Sequence, residues 1–276
     1  MKQLMKKIII LLFFLTCVFP LKAQYDLLSA KKNVIPNCYN FWVYTPEEYY
    51  YTQESTPLII FLHGASLCGR DLNRVLRYGP IDAAKMGLMI PALIVAPQNP
   101  GGSWNPQKLN AILEWMKQQY VFDETRVYVL GMSLGGYGTL DFAGAYPDKI
   151  AAAIALCGGS TLKDYQGLGE LPLWIVHGTG DRAVSVRESQ KVVDGMKVKG
   201  ITNRLRYDWI KGASHGALAR YFYTSKTYDW LFQHTLKDEE RPVNTTIDIT
   251  QSDLTNAYRE FQRRTDELER ELDNEQ

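Results

Sequence analysis

Short apolar runs alternate with longer segments of helical character between Phe41 and His234, and this alternation constrains the fold more than any other feature. Several runs are apolar without interruption, which is typical of strands buried on both faces of a sheet. The predicted strands are Phe41–Tyr44, Leu58–Leu62, Ala92–Ala96, Val127–Leu130, Ala151–Leu156, Leu173–Val176 and Leu205–Ile210. The predicted helices are Leu72–Gly87, Pro106–Tyr120, Gly135–Tyr146, Val186–Val198 and Ala217–His234. This order predicts an α/β fold with a mainly parallel central sheet and helices on both faces.

Length and composition fit one large domain with a short appendage. The chain has 276 residues, of which 46% are hydrophobic and 22% are charged, and these are ordinary globular values. We predict a body over 24–236, a linker over 237–250 and an amphipathic C-terminal extension helix over 251–276. The apolar stripe of this helix recurs at spacings of four and three: Leu254, Tyr258, Phe261, Thr265, Leu268 and Leu272. Such a helix either lies on the body or in solvent, or it mediates self-association or docking to a partner.

The N-terminus has the order of a secretory signal peptide. Three lysines within the first seven residues precede the apolar run Ile8–Phe14, and Pro20 and a small-residue site ending at Ala23 follow. Cleavage after Ala23 predicts a secreted or periplasmic protein with no stable membrane span after processing, because the apolar run is short for a span. The alternatives are an uncleaved anchor and a lipoprotein attached at Cys17.

Charge and cysteine content exclude some classes of function. Removal of residues 1–23 takes away four lysines and no acids, so the net charge changes from +1 to −3. Without a basic excess, nucleic-acid binding is disfavoured. The spacings of Cys38, Cys68 and Cys157 match no zinc or redox motif. Cys38 and Cys68 are the pair that an exported chain could join in a disulfide, and Cys157 is interpreted as a small buried residue.

A nucleophile is predicted from Gly131-Met132-Ser133-Leu134-Gly135, which matches the Gly-x-Ser-x-Gly pattern. The pattern alone is weak, but here it directly follows a predicted strand and opens a predicted helix, which is the context that the motif requires. Such a turn exposes the serine hydroxyl and directs the N–H groups of the helix start at developing negative charge. We therefore predict Ser133 as the nucleophile of an acyl transfer.

The base and its carboxylate partner follow by elimination among four histidines. His215 lies in a glycine-containing loop after the last predicted strand, where an imidazole can return over the serine, whereas the other three occupy strand ends or a helix. Asp181 directly follows the strand Leu173–Val176, and the order Ser133, Asp181, His215 is the one expected for this fold. A turn or helix-capping role is the alternative for Asp181.

The early loop and the rim supply the remaining candidates. One oxyanion donor is predicted to be the backbone N–H of Leu134, and the other that of Ala65 or Ser66 after the strand Leu58–Leu62. Three side chains near the expected mouth are candidates for substrate binding: Trp104, Leu67 and Tyr137. Packing beneath the rim is an equal alternative for Trp104 and the favoured one for Tyr137.

Leu62-His63-Gly64-Ala65, Gly131–Gly138, Asp181 and His215 resemble the α/β-hydrolase superfamily. Within it, the strand Pro57–Leu62 and the run Ala96–Pro100 leading to Trp104 are similar to the single-domain "predicted peptidase" and feruloyl-esterase-like group, which is related to polyhydroxybutyrate depolymerases and family 1 carbohydrate esterases. The resemblance implies an α/β-hydrolase fold and, for the substrate, a carbohydrate or feruloyl ester. The C-terminal helix lies outside that pattern.

Three hypotheses for function follow. The first is a secreted serine hydrolase that cleaves small-molecule or polysaccharide-linked carboxylic esters through an acyl-enzyme. The second is a serine peptidase of the prolyl-oligopeptidase type, and the third is a noncatalytic binding protein on a hydrolase scaffold. No metal or other cofactor is expected, because a serine mechanism supplies its own nucleophile.

Overall fold

An eight-stranded mixed sheet organises the computed structural model, which describes residues 27–257. The strands are β1 (Leu28–Lys31), β2 (Phe41–Tyr44), β3 (Leu58–Leu62), β4 (Leu93–Pro97), β5 (Val127–Met132), β6 (Ala152–Leu156), β7 (Leu173–Gly178) and β8 (Leu205–Ile210), in the spatial order β1-β2-β4-β3-β5-β6-β7-β8. Strand β2 is antiparallel to both of its neighbours, and all the pairs from β4 to β8 are parallel. All seven predicted strands form, and β1 is an additional, partly exposed edge strand.

Helices cover both faces of the sheet, as predicted. They are α1 (Tyr49–Thr52), α2 (Pro80–Lys85), α3 (Pro106–Gln119), α4 (Leu134–Ala145), α5 (Val186–Val198) and α6 (Ser225–Phe232). Buried side chains of β3 alternate between two cores: Ile59 and Phe61 join one core, and Leu58, Ile60 and Leu62 join the other. The five residues of this strand are completely or almost completely buried, which explains its continuous apolar run.

Two predicted helices are broken in the structure. The segment 72–87 forms a 3-10 helix over Leu72–Leu76 and then α2, because Gly79 at φ 106° interrupts the chain before Pro80 starts a new helix. A side chain at Gly79 would also collide with the ring of Phe61. The segment 217–234 likewise forms a 3-10 helix over His215–Tyr223, an extended residue at Thr224, and α6.

The segment predicted as a linker is held against the body. The Arg241 guanidinium donates to backbone carbonyls at Pro147, Ile150 and Ala151, and the indole N–H of Trp230 donates to the carbonyl of Asn244. The helical residues 251–257 follow, and Leu254 and Ala257 are buried in one of the two cores. The start of the apolar stripe thus packs on the body, and the rest of the predicted helix lies outside the described residues, as does the predicted signal peptide. None of the helices in the described range 27–257 is long and apolar enough to cross a membrane.

Candidate active site

Ser133 lies at the junction of β5 and α4 in a strained backbone conformation. Its φ is 59° and its ψ is −122°, a region that costs a residue with a side chain on the order of 1–3 kcal/mol. Its backbone N–H donates to the carbonyl of Leu156 at 2.8 Å, so the ladder between β5 and β6 continues past the strand end. This is the sharp strand-to-helix turn that the motif predicts, and the side chain is partly exposed.

The flanking glycines are required because backbone passes where a side chain would stand. A Cβ atom at Gly135 would lie 1.8 Å from the carbonyl oxygen of Leu62. A Cβ atom at Gly131 would lie 2.3 Å from the carbonyl oxygen of Gly135. Helix α4 can therefore start directly against β3 and β5 only with glycine at both positions.

The structure brings Asp181 and His215 together. Nδ1 of His215 lies 2.6 Å from Oδ2 of Asp181, whose side chain is fully excluded from solvent, whereas the His215 side chain is 24% exposed. The other oxygen, Oδ1, accepts from the backbone N–H groups of Ala183 and Val184 at 2.8 and 2.9 Å. Burial acts to raise the pKa of Asp181, but the hydrogen bonds from Val184, His215 and Ala183 outweigh it and hold the pKa below its usual range. A carboxylate in this state favours the His215 tautomer with hydrogen on Nδ1 and leaves Nε2 as the base.

The serine and the imidazole come to the same edge of the sheet. Ser133 follows the carboxyl end of β5, Cys157 that of β6, and His215 that of β8. The thiol of Cys157 and the facing atoms of Asp181 and His215 all lie within 4.8 Å of one another. Within residues 27–257, no hydrogen bond joins the Ser133 hydroxyl to His215, and catalytic hydrogen bonds often tighten only when substrate binds.

The backbone N–H groups of the early loop differ in whether they already have an acceptor. The N–H of Gly64 is occupied, since it donates to the Tyr78 hydroxyl at 2.7 Å. The N–H groups of Ala65, Ser66 and Leu134 have no acceptor among the described residues, and that of Leu134 is the first of α4. Ala65 therefore remains the first candidate for the second donor, and Ser66 the alternative.

The buried side chain of His63 stabilises this loop through two hydrogen bonds. Its Nδ1 donates to the carbonyl of Gly64 at 2.8 Å, and its Nε2 accepts from the backbone N–H of Asn99 at 3.0 Å. Burial lowers the pKa of His63 to about 4, although the bond to Gly64 opposes this, so the ring is neutral near pH 7. The buried amide of Gln98 donates to the carbonyls of Leu67 and Gly69 in the same loop.

Sequence reasoning did not find these supporting residues. The Tyr78 hydroxyl and the Gln98 amide reach the loop from 14 and 31 residues away in the chain. Tyr78 lies in no motif, and Gln98 lies in the run Ala96–Pro100, whose resemblance to the family gives Gln98 no role.

Two of the three predicted substrate contacts are corrected by the structure. Trp104 is 3% exposed and packs against Gly138 and edge-on to His63, with its indole N–H directed at the His63 carbonyl at 3.3 Å. Leu67 is 4% exposed and also lies beneath the surface. Tyr137 is partly buried in the first turn of α4, where its hydroxyl donates to Glu188 at 3.3 Å. Glycine at 138 leaves the space that the Trp104 ring fills, so Trp104 packs beneath the rim.

Three cysteines lie in the described part of the chain. Cys38, Cys68 and Cys157 are all free thiols, so the pairing considered for Cys38 and Cys68 is not formed. Among the described residues, one group has side chains placed closely enough for a metal: Cys157, Asp181 and His215. The 2.6 Å between Asp181 and His215 is a hydrogen-bond distance, whereas oxygen and nitrogen atoms that share a tetrahedral zinc ion are roughly 3.3 Å apart. The spacing is that of an acid–base pair.

Several known proteins are similar to this chain in sequence or in structure. Residues 99–173 match the model of the prolyl oligopeptidase family. A bifunctional acetylxylan esterase/xylanase of Neocallimastix patriciarum is 30% identical over 87 residues, which are 32% of this chain and 13% of that protein. The crystal structure of a thermostable esterase is similar with a TM-score of 0.66 and 26% identity, over 76% of this chain and 64% of that one. The feruloyl esterase module of Clostridium thermocellum has a TM-score of 0.53 and 13% identity, over 81% and 90% of the two chains.

These matches confirm the resemblance drawn from the motifs. The chain has the α/β-hydrolase fold, is related to its esterase-like group, and has relatives that indicate a serine hydrolase. It spans less than two thirds of the thermostable esterase and about an eighth of the curated relative.

Proposed function

We propose that this α/β-hydrolase is a serine esterase that cleaves carboxylic esters through an acyl-enzyme. The observation that carries the proposal is the 2.6 Å contact between His215 and a fully buried Asp181, at the sheet edge where Ser133 stands on its strained turn. A buried ionised carboxylate is costly unless it is hydrogen-bonded or faces an opposite charge. An imidazolium that forms during catalysis is such a charge.

The proposed reaction proceeds in two steps. Oγ of Ser133 attacks the ester carbonyl while Nε2 of His215 takes the serine proton, and Asp181 stabilises the resulting imidazolium. The N–H groups of Leu134 and Ala65 donate to the oxyanion. The imidazolium then gives its proton to the departing alcohol, which leaves Ser133 acylated. A water molecule, deprotonated by His215, attacks the acyl carbonyl, the bond to Oγ of Ser133 breaks to release the carboxylic acid, and the imidazolium returns its proton to Oγ.

We propose acyl esters of carbohydrates, with acetyl or feruloyl groups, as the substrate class. The thermostable esterase and the acetylxylan esterase/xylanase both have 26% identity or more to the matched parts of this chain. The segments that follow β5, β6 and β7 are short in the described structure, which suits an ester carried on a bulky polymer.

The test uses the protein that begins at residue 24. We expect hydrolysis of p-nitrophenyl acetate, release of acetate from acetylated xylan or of ferulate from methyl ferulate, and labelling by a fluorophosphonate probe at Ser133. Ser133→Ala should abolish turnover and labelling, while Ser252→Ala, which changes an exposed serine on the C-terminal segment, should retain both. Absence of turnover and of labelling in the folded wild-type protein would refute the proposal.

Peptide hydrolysis is the second candidate, because the prolyl oligopeptidase family model matches 99–173, the region that contains Ser133. Both reactions use the same three side chains, so the site does not separate them. Comparison of kcat/KM for an acylaminoacyl p-nitroanilide with that for p-nitrophenyl acetate decides between them. A preference for the anilide would replace the esterase proposal.

We propose that the protein is exported. The lysine-rich start, the apolar run Ile8–Phe14 and the small-residue site at Ala23 support cleavage that leaves Gln24 first. Mass spectrometry of the protein from its native host should find Gln24 at the N-terminus. A lipidated Cys17 or an intact Met1 would contradict this.

A further inference from the structure

A second imidazole, that of His177, lies close to the Asp181 carboxylate that binds His215. His177 is the penultimate residue of β7, and its side chain, like that of Asp181, is fully excluded from solvent. Its Nε2 lies 3.3 Å from Oδ2 of Asp181, the oxygen that is 2.6 Å from Nδ1 of His215. The acyl-transfer mechanism proposed above uses His215 and gives His177 no role.

The groups around His177 determine which of its ring nitrogens carries a hydrogen. Nε2 lies 3.0 Å from the carbonyl oxygen of Val184 as well as close to the carboxylate, and both groups only accept, so Nε2 must be a donor. Nδ1 lies 2.7 Å from Oγ of Ser189, and the Ser189 hydroxyl donates to the carbonyl of Gly158. Burial lowers the pKa of His177, against the opposing effects of Val184 and Asp181. The two acceptors at Nε2 place the hydrogen of the neutral ring there, so Nδ1 and the carbonyl of Gly158 compete for the single hydroxyl hydrogen of Ser189.

These contacts support the carboxylate from two sides. Oδ1 accepts from two backbone N–H groups, at Ala183 and Val184, and Oδ2 faces the two imidazoles. Val184 contributes to both supports, because its N–H binds Oδ1 and its carbonyl accepts from His177. Without His177, the carboxylate loses the ring nitrogen 3.3 Å from Oδ2, and the loop loses the hydrogen bond between Val184 and β7.

We propose that His177 is a positioning residue, whose Nε2–H holds Oδ2 of Asp181 in line with Nδ1 of His215. The inference rests on the proposed function, since positioning matters only if the pair acts on Ser133. In this proposal, His177 helps Asp181 to set the tautomer of His215 and does more than fill space in the core.

The first test needs no turnover. In the ¹⁵N-labelled wild-type protein at neutral pH, the ring nitrogen resonances of His177 should show hydrogen on Nε2 and none on Nδ1. Assignment is made by loss of the signals in His177→Gln. A His177 ring with an unprotonated Nε2 would overturn the proposal, because it could not donate to Asp181.

The second test measures the consequence for the triad. His177→Leu removes the donor, and His177→Gln keeps an amide donor in a similar volume. We expect His177→Leu to lower kcat at least tenfold with KM within twofold, and to lower the rate of fluorophosphonate labelling equally. His177→Gln should recover most of both rates. The control is His234→Gln, because His234 is also buried but lies at the end of α6, and its kcat should stay within twofold of wild type.

The outcomes separate this proposal from the esterase proposal. If wild type hydrolyses esters and a folded His177→Leu does so at the same kcat, the positioning role is wrong and the esterase remains. If the Leu variant does not fold, the Gln variant decides, and a Gln variant that folds but is as slow as Ser133→Ala counts against positioning by a donor. If wild type neither hydrolyses nor labels, the proposed function fails, and the tautomer measurement still accepts or rejects the contact to Asp181.

Discussion

Gly135→Ala perturbs the contact on which the turn at Ser133 depends. The new Cβ would lie 1.8 Å from the carbonyl oxygen of Leu62 and 2.9 Å from that of His63. Since real Cβ atoms keep about 3.0 Å from other atoms, α4 and the end of β3 must separate by about 1.2 Å. Both obstructing atoms belong to the backbone, so no side-chain rotation relieves the contact.

The shift is expected to affect stability and catalysis together. Overpacking in a close-packed interior costs about 1–3 kcal/mol, and each kcal/mol lowers the Tm of a chain of this size by about 2–4 °C. Because the obstruction is backbone, we expect the upper end of this range, a fall in Tm of roughly 6–12 °C. Helix α4 begins at Leu134 and β3 leads to Ala65, so the same shift separates the two proposed oxyanion donors. A misplacement of about 1 Å lowers a rate roughly 100-fold.

Thermal unfolding followed by circular dichroism, and kcat on p-nitrophenyl acetate below the lower Tm, measure the two effects. The matched control is Gly216→Ala, because Gly216 has ordinary φ, is exposed, and has no atom within 4 Å of an added Cβ. We expect its Tm to stay within about 2 °C of wild type. A Gly135→Ala protein with wild-type Tm and kcat would show that α4 does not pass this close to β3, and the reasoning about the turn would be refuted.

Three further outcomes are expected. Asp181→Asn should lower kcat by about 10³–10⁴-fold with little change in KM, because an amide stabilises the wrong tautomer of His215, and steady-state kinetics check this. The free energy of unfolding should fall as the pH decreases from about 6.5 towards 4, because the folded state holds the pKa of His63 at about 4 while the unfolded chain binds the proton. The contribution of this group is about 1.4 kcal/mol per pH unit. Urea unfolding at several pH values should show that the free energy of unfolding depends less steeply on pH in His63→Gln. Trp104→Ala should cost about 3–5 kcal/mol of unfolding free energy, because it leaves a cavity against Gly138; an unchanged urea midpoint combined with a raised KM would favour the substrate-stacking role instead.

The arrangement of strands could be predicted because burial leaves a direct trace in the sequence. Strands β3 to β7 are buried on both faces and therefore have continuous apolar runs, whereas the exposed edge strand β1 has no such run. The break at Gly79 was missed because it depends on close packing against Phe61, a residue 18 positions earlier in the chain. Local periodicity carries no information on such a contact.

The candidate site likewise contains residues that the sequence could predict and residues that it could not. Ser133, Asp181 and His215 could be singled out because each follows a strand end, and parallel strands bring their carboxyl ends to one edge of the sheet. The residues that support them, such as Tyr78 and Gln98, act through hydrogen bonds to backbone groups that are distant in the sequence. No spacing rule governs those bonds, and for the same reason the sequence did not decide whether Trp104 faces the substrate or the core.

Hydrogen bonds of the sheet, rather than of the loops, stabilise the strained backbone at the site. Ser133 and Cys157 both have positive φ, at 59° and 50°, and they stand at the ends of adjacent strands. The N–H of Ser133 donates to Leu156 and that of Cys157 to Val176, so the strand ladder continues through both strained residues. Each strained residue costs on the order of 1–3 kcal/mol, while breaking a buried ladder bond would cost about as much again. The turn that exposes the nucleophile is therefore retained, because relaxing it would disrupt the hydrogen-bond pairing that sets the register of β5, β6 and β7. The same pairing positions His177, which lies in β7.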